Sequence, residues 1–359
     1  MHRRALAAIR VGSTGRAVRR VASRDPPAYG RARQRGEADI TRIILGIVAG
    51  VLVLLIAGWF VFRVPDIPAA TLRARYASPA SRFVTIAPGL TVHLRDEGQK
   101  GGLPIVLLHG SNASLQTWDP WVARLGDRYR LIRVDLPGHG LTGAAPDGDY
   151  SQAAYARVLD AVVAERKLGR FVLVGHSMGG GVAALYASEH SDRIAALILV
   201  DASGEPYPKG SGGTPLLMRV LDLPGVRDAA AQLTPRWMIA QSLDRAVAVK
   251  QINTPAAIDR YWDLLRYPGN RVATIERFAQ GYAPVPPAAL ARITAPTLIL
   301  WGKEDQFIPV ASAAYFDRAI PDSRAIIYTG VGHLVMEEAP DRSAGDVRAF
   351  LARLPAGPA

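Results

Sequence analysis

Residues Phe171 to Gly181 read FVLVGHSMGGG, and no other stretch limits the fold as tightly. Four apolar residues, Phe171-Val172-Leu173-Val174, have the length and composition of a short buried strand. They run directly into Gly175-His176-Ser177-Met178-Gly179, a G-x-S-x-G match, and small residues from Gly180 to Ser188 continue with helical character. A chain that passes from strand to helix in one sharp turn needs neighbours without a Cβ, so that the two elements can approach. The serine at the apex then projects its Oγ over the end of a sheet, within reach of a base. The bland alternative is a surface serine in a glycine-rich turn, and the strand and helix on either side argue against it. Ser177 is the candidate nucleophile.

A serine is a weak nucleophile until a base takes its proton and a third group orients that base. Seven histidines are available. His2 lies in a basic tail, and His93 alternates within an early strand, Leu90 to Leu94, as a surface or satisfied residue. His109, His139 and His176 belong to turn motifs ahead of Ser177, and His190 ends the helix after it. His333 differs. It sits in Thr329-Gly330-Val331-Gly332-His333, just after the strand-like Ala325-Ile326-Ile327-Tyr328, and core packing explains it poorly. It is the expected general base. The acid is expected at Asp305, which follows the apolar run Ala295 to Trp301 and precedes His333. Its neighbour Glu304 and the more distant Asp201, which ends the run Ala196 to Val200, are the alternatives.

Four landmarks now stand in order: Leu107-Leu108-His109-Gly110, Asp135-Leu136-Pro137-Gly138-His139-Gly140, the Ser177 turn, and the Asp305/His333 pair. Together they resemble the α/β-hydrolase superfamily over about residues 80–355, and they are similar to its lidded esterases and lipases, meta-cleavage-product hydrolases, perhydrolases and haloalkane dehalogenases. The dehalogenase and epoxide-hydrolase branches carry an aspartate at the elbow. Ser177 departs from that pattern and argues against both chemistries.

The resemblance implies an oxyanion hole formed by the backbone N–H groups of Ser111 and Met178, which would meet the charge that develops on a carbonyl oxygen. The Asn112 side chain is a candidate third donor, or else simply holds its turn together. Asp135 and His139 are expected to shape a neighbouring turn by structural hydrogen bonds. The implied chemistry is hydrolysis of hydrophobic carboxylic esters through an acyl-enzyme. Carbon–carbon bond hydrolysis of the meta-cleavage type, perhydrolysis or acyl transfer is the alternative, and a non-catalytic binding protein the remote one. No cofactor is expected. The histidines are too dispersed for a metal site, no H-E-x-x-H occurs, and the elbow lacks the Gly-Lys-Ser/Thr ending of a phosphate loop. Zero cysteines exclude disulfides, thiol catalysis and zinc-thiolate sites.

The other informative segment is Ile43 to Phe62, twenty residues without a charge, bounded by Arg42 and Arg63. At about 1.5 Å per residue it spans roughly 30 Å, the hydrocarbon thickness of a bilayer. It is longer than a signal-peptide core, and no convincing A-x-A-like cleavage site follows it, so it reads as a single transmembrane anchor with a cleaved signal as the alternative. Residues 1–42 hold eleven arginines against Asp25, Glu37 and Asp39, a net +8 of the chain's +12. Positive charge of this kind keeps the tail cytoplasmic and sends the remainder across, with Trp59, Phe60 and Phe62 at the outer interface. Little net charge is left for the rest of the chain, and nucleic-acid binding is not expected. Arginine outnumbers lysine 38 to 5, which suggests a GC-rich bacterial genome and hence a periplasmic destination.

The expected organisation is a disordered basic tail (1–42), a transmembrane helix (43–62), a linker (63–80) and an α/β-hydrolase domain (81–355). That domain is expected to hold a mostly parallel eight-stranded sheet with helices on both faces. An insertion at about 204–290 is too long for a loop and reads as a helical cap, with helices at Pro215–Leu223, Pro235–Lys250 and Ala256–Leu265. Gly210 to Gly213 is the expected hinge. Leu217, Met218, Leu221, Trp237, Met238, Trp262 and Phe278 form the pool from which the acyl pocket is lined.

Overall fold

The computed structural model describes residues 28–206, 223 and 225–354, with residues 28–39 described as backbone only. The expected helix Pro215–Leu223, the Gly210–Gly213 hinge and the pocket candidates Leu217, Met218 and Leu221 fall wholly or mostly outside the described residues. The chain divides into two units, one ending at Phe60 and one beginning at Val61.

Helix α1, Ala28–Phe62, dominates the first unit. Its stretch Ile40–Phe62 is 23 residues long with mean hydropathy 2.8, long and apolar enough to cross a membrane. The helix starts inside the arginine-rich segment that was expected to lack order. Ala28 to Arg42 holds four Arg and three Ala, both good helix formers, against two Gly, so an apolar helix that follows can extend back through them.

The second unit is built on eight strands: β1 Ser81–Ala87, β2 Leu90–Gly98, β3 Pro104–Leu108, β4 Arg130–Val134, β5 Phe171–His176, β6 Ile194–Val200, β7 Thr297–Gly302 and β8 Ser323–Tyr328. They lie in the order β1-β2-β4-β3-β5-β6-β7-β8. The first two pair antiparallel with each other, and β2 is antiparallel to β4; every other pairing is parallel. β5 therefore lies inside the sheet, buried on both faces, as its unbroken apolar sequence requires.

Alternation along the strands divides the core into two layers. Val106, Leu108 and Leu173 face α4 (Gln152–Glu165), α5 (Met178–Glu189) and a helix at Ala311–Ala319. Ile105, Leu107, Val172 and Val174 face α3 (Asp119–Leu125) and the C-terminal helix Pro340–Leu351. Ser151 caps α4 through its side chain, which accepts from the Ala154 N–H. The left-handed residue that ends this helix is Lys167, at φ 50°.

Between β6 and β7 the described cap contains α6 Val226–Ala231, α7 Arg236–Ala246, α8 Pro255–Leu265 and α9 Asn270–Gln280. α7 and α8 lie where helical character is legible in the sequence, whereas α9 went unrecognised. Its run, NRVATIERFAQ, shows no clean apolar stripe, because the residues it buries are Asn270, Arg271, Ala273 and Arg277. Residues 63–80, expected as a linker, are packed against that cap. The Val64 N–H donates to the Gln232 carbonyl, Arg271 holds both the Val64 carbonyl and Asp66, and Ile67 donates to the Arg266 carbonyl. A short helix, α2 Ala69–Tyr76, buries Leu72 against Leu141, Leu264 and Tyr267. Burying one leucine contributes about 2 kcal/mol, in addition to the hydrogen bonds that tie down this strap.

Candidate active site

The turn after β5 brings Ser177 to φ 51° and ψ −119°, left-handed for a residue with a side chain. Such a backbone stores on the order of 1–3 kcal/mol and persists only where its surroundings enforce it. The enforcement comes from close packing on both sides. A Cβ on Gly179 would lie 2.6 Å from the carbonyl oxygens of Leu108 and His109, and one on Gly110 would lie 2.9 Å from the Ser177 Cβ. The loop after β3 therefore passes directly against the serine, which only glycine at these two positions permits.

Ser177 and His333 both line one cavity of about 720 Å³, together with Ser111, Asn112 and Met178. His333 Nδ1 and Asp305 Oδ2 are 2.7 Å apart, and the Asp305 side chain is buried. The imidazole donates from Nδ1, because an ionised carboxylate only accepts, and this leaves Nε2 as the basic nitrogen. The other Asp305 oxygen accepts from the Phe307 and Ile308 N–H groups at 2.7 and 3.0 Å, which fixes the carboxylate at the end of β7. The two N–H groups expected to meet an oxyanion, on Ser111 and Met178, have no hydrogen-bond acceptor among the described residues. Met178 is the first residue of α5, where a helix leaves its N–H groups unpaired.

The alternative acid, Asp201, lies close by, with a carboxylate oxygen within 4.8 Å of ring nitrogens of both His333 and His176, so these dispersed histidines do converge on an acid. It is fully buried and accepts from the Gly302 N–H at 2.8 Å, but no hydrogen bond joins it to His333. Burial, and then the nearby negative charge of Asp305, push its carboxyl well above the usual range and hold it neutral. Glu304 instead accepts from the Gly330 and Val331 N–H groups and so shapes the loop that carries His333. Asp135 accepts from the N–H groups of Leu115 and Leu141 and lies 2.7 Å from His93 Nδ1, so it stitches the β4 turn to the β3 loop. His93, expected as a surface or satisfied strand residue, is a buried partner in that network.

Three further residues position this site without any local signal in the sequence. Glu338 accepts from Gly332 and Leu334 on the His333 loop and from Ala248 and Val249 at the end of α7, clamping loop to cap. His176 donates from Nε2 to the His333 carbonyl at 2.8 Å; burial, with His333 alongside, holds its pKa well below the usual value and keeps the ring neutral. Arg277 reaches from α9 to Ser111 and Asn112.

With this geometry in place, the chain can be set beside known proteins. The family model for the alpha/beta hydrolase fold matches residues 104–340, more than half of the chain. The chain belongs to the α/β-hydrolase family. An uncharacterized protein of Mycobacterium tuberculosis is 30% identical to this hydrolase over 270 residues, 70% of this chain and 75% of the relative. A 2-hydroxy-6-oxononadienedioate/2-hydroxy-6-oxononatrienedioate hydrolase of Cupriavidus pinatubonensis is 28% identical over 279 residues, 74% of this chain and 92% of the relative. Among solved structures, a membrane phospholipase A described as a bacterial virulence factor superposes with a TM-score of 0.65 at 26% identity, covering 88% of this chain and 99% of its own. The protein is a hydrolytic enzyme of this fold.

The lining of the hydrolase cavity differs from expectation. Of the described pool, Phe278 reaches the cavity, but Trp237 and Met238 are 64% and 42% exposed and Trp262 donates to the Thr234 carbonyl. Ile239, Ser242, Leu243 and Ala246 form the inner face of α7 at helical spacing. That face turns its neighbours Trp237 and Met238 away from the cavity.

Proposed function

We propose that this protein is a membrane-anchored serine hydrolase that cleaves hydrophobic carboxylic esters through a triad of Ser177, His333 and Asp305. The observation that carries the reading is the strained Ser177 turn facing the same apolar cavity as the His333–Asp305 pair. Ser177 Oγ attacks the carbonyl carbon while His333 Nε2 takes its proton, and Asp305 stabilises the imidazolium that results. The Ser111 and Met178 N–H groups receive the oxyanion. As the tetrahedral intermediate collapses, His333 returns the proton to the leaving alkoxide. Water, deprotonated by His333, then releases the acid from Ser177.

Electrostatics favour an ester over the dianionic substrate that the name of the Cupriavidus relative implies. Glu205 lines the cavity, and neither lysine nor arginine does so among the described residues. A dianion entering there would lose its hydration with no cation in the cavity wall to contact directly, Arg277 lying behind Ser111 and Asn112. The testing experiment is turnover of p-nitrophenyl esters of two to twelve carbons, with fluorophosphonate labelling of the wild type as a count of active serines. Turnover with an optimum at short to medium acyl length is expected. A folded, labelled enzyme that cleaves none of them, yet splits a 2-hydroxy-6-oxo-dienoate, would move the assignment to carbon–carbon hydrolysis.

Membrane anchoring rests on α1 and on the likeness to a membrane phospholipase over a share of the chain larger than the hydrolase domain alone. The arginine-rich side stays in the cytoplasm and the hydrolase domain lies outside, in the periplasm of a bacterium. Reporter fusions after Phe62 are expected to be active only for the reporter that folds outside the cytoplasm. Activity of a strictly cytoplasmic reporter at that junction would reverse the orientation.

A further inference from the structure

Arg277 lies on α9 in the cap, fully buried, with no carboxylate at ion-pair distance among the described residues. Its neighbour on the helix, Glu276, is engaged by Arg227 instead. The guanidinium is bound entirely through neutral groups. Nη2 donates to Ser111 Oγ at 3.0 Å and to Asn112 Oδ1 at 2.8 Å, and Nε donates to the Tyr282 hydroxyl at 3.1 Å. Nη1 has no partner. Burial, and in lesser part Arg277 itself, holds His109 and His139 nearby below their usual pKa, so neither adds a second positive charge beside the guanidinium. A buried cation is costly unless something negative meets it, so its retention here requires a reason.

The contacts also determine which atoms of the loop remain to be used. Asn112 Oδ1 accepts from both Arg277 and Thr274, and Ser111 Oγ accepts from both Arg277 and Tyr282. Reversing the Asn112 amide would set its N–H₂ against the Arg277 guanidinium, which can only donate, so that contact determines the orientation. With their oxygens occupied by the cap, the Asn112 amide N–H₂ and the Ser111 hydroxyl hydrogen have no acceptor among the described residues, and both residues line the cavity. Asn112 is held at φ 57°, a left-handed backbone that asparagine tolerates better than most side chains.

We propose that Arg277 is the positioning residue of the oxyanion loop: it holds Ser111 and Asn112 with their donors toward the reacting carbonyl, and its unneutralised charge is met only when the oxyanion forms. This deepens the esterase reading above and rests on it. An interaction that strengthens as charge develops lowers the barrier without tightening substrate binding, so its loss falls on kcat. The arrangement also makes closure of the cap a requirement for a complete oxyanion hole, because the guanidinium comes from α9 and the loop from β3.

The test compares Arg277→Met, Arg277→Lys and Asn112→Asp with wild type. For Arg277→Met we expect kcat to fall roughly thirty- to a hundredfold with KM changed by less than about threefold, the scale of losing one oxyanion donor. The affinity for an alkylboronic acid, whose adduct on Ser177 is tetrahedral and anionic, is expected to weaken by the same factor as kcat. Arg277→Lys keeps the charge and is expected to recover part of both. Asn112→Asp leaves Arg277 in place but neutralises it with a carboxylate at an exposed position, so kcat and boronate affinity are expected to fall with the fold intact, which keeps the proposal testable should Arg277→Met unfold. A loss confined to KM or to melting temperature, with boronate affinity unchanged in the folded variants, overturns the proposal. If the wild type neither hydrolyses esters nor takes fluorophosphonate at Ser177, it is the parent reading that fails.

Discussion

Ser177→Ala is expected to lower kcat/KM on p-nitrophenyl esters by about five to six orders of magnitude, with the melting temperature nearly unchanged. Alanine keeps the Cβ, so the packing against Gly110 and the strained φ of 51° are unaltered, and only the nucleophilic oxygen is lost. Residual turnover should reflect the oxyanion donors and the cavity acting on water. The readout is paired: ester hydrolysis and fluorophosphonate labelling should vanish together, while a medium-chain boronic acid loses its covalent partner. Retention of more than a few per cent of wild-type turnover would show that the chemistry uses another group, and the esterase mechanism proposed here would have to be abandoned.

Asp305→Asn should be the next most damaging change, lowering kcat by about four orders of magnitude with little effect on KM. The asparagine oxygen can still accept from the Phe307 and Ile308 N–H groups, so the turn after β7 is preserved. Its amide N–H₂ then faces His333 Nδ1 and forces the proton to Nε2, the wrong tautomer to accept one from Ser177. Asp201→Asn is the control. Because burial and Asp305 already hold Asp201 neutral, that substitution should leave kcat within a fewfold of wild type. Adding it to Asp305→Asn should bring no further loss. A deep further drop in the double variant would mean that Asp201 serves His333 when Asp305 cannot, and would reassign part of the acid's role.

The choice between these two aspartates illustrates where sequence reading runs out. Both follow apolar runs that form neighbouring strands, β6 and β7, and both end near the edge of the sheet that carries Ser177. Local pattern ranks Asp305 ahead by its distance from His333, but the deciding fact is that the His333 ring meets one carboxylate at 2.7 Å while the other accepts from the Gly302 backbone. The cap shows the same limit. Helical spacing marks α7, yet whether Trp237 or Ile239 turns inward depends on what α7 packs against. Residues 63–80 offer few local signs of order because the partners that bind them lie some two hundred positions away, at Arg266 and Arg271.

What the sequence by itself determined are the features that one short segment can enforce. The strand-turn-helix around Ser177, the strand-and-loop settings of Asp305 and His333, the order of the eight strands along the chain and the apolar helix ending at Phe62 all follow from hydrophobic periodicity and glycine placement within a few residues. Only the tertiary structure decided which groups meet across the chain. Arg277 binds Ser111 from 166 positions away, and Glu338 holds the end of α7 from about 90. Neither residue announces itself locally: an arginine and a glutamate on helices read as solvated charges. They are buried instead because folding presents each with several hydrogen-bond partners at once, and that convergence exists only after the cap has closed over the sheet.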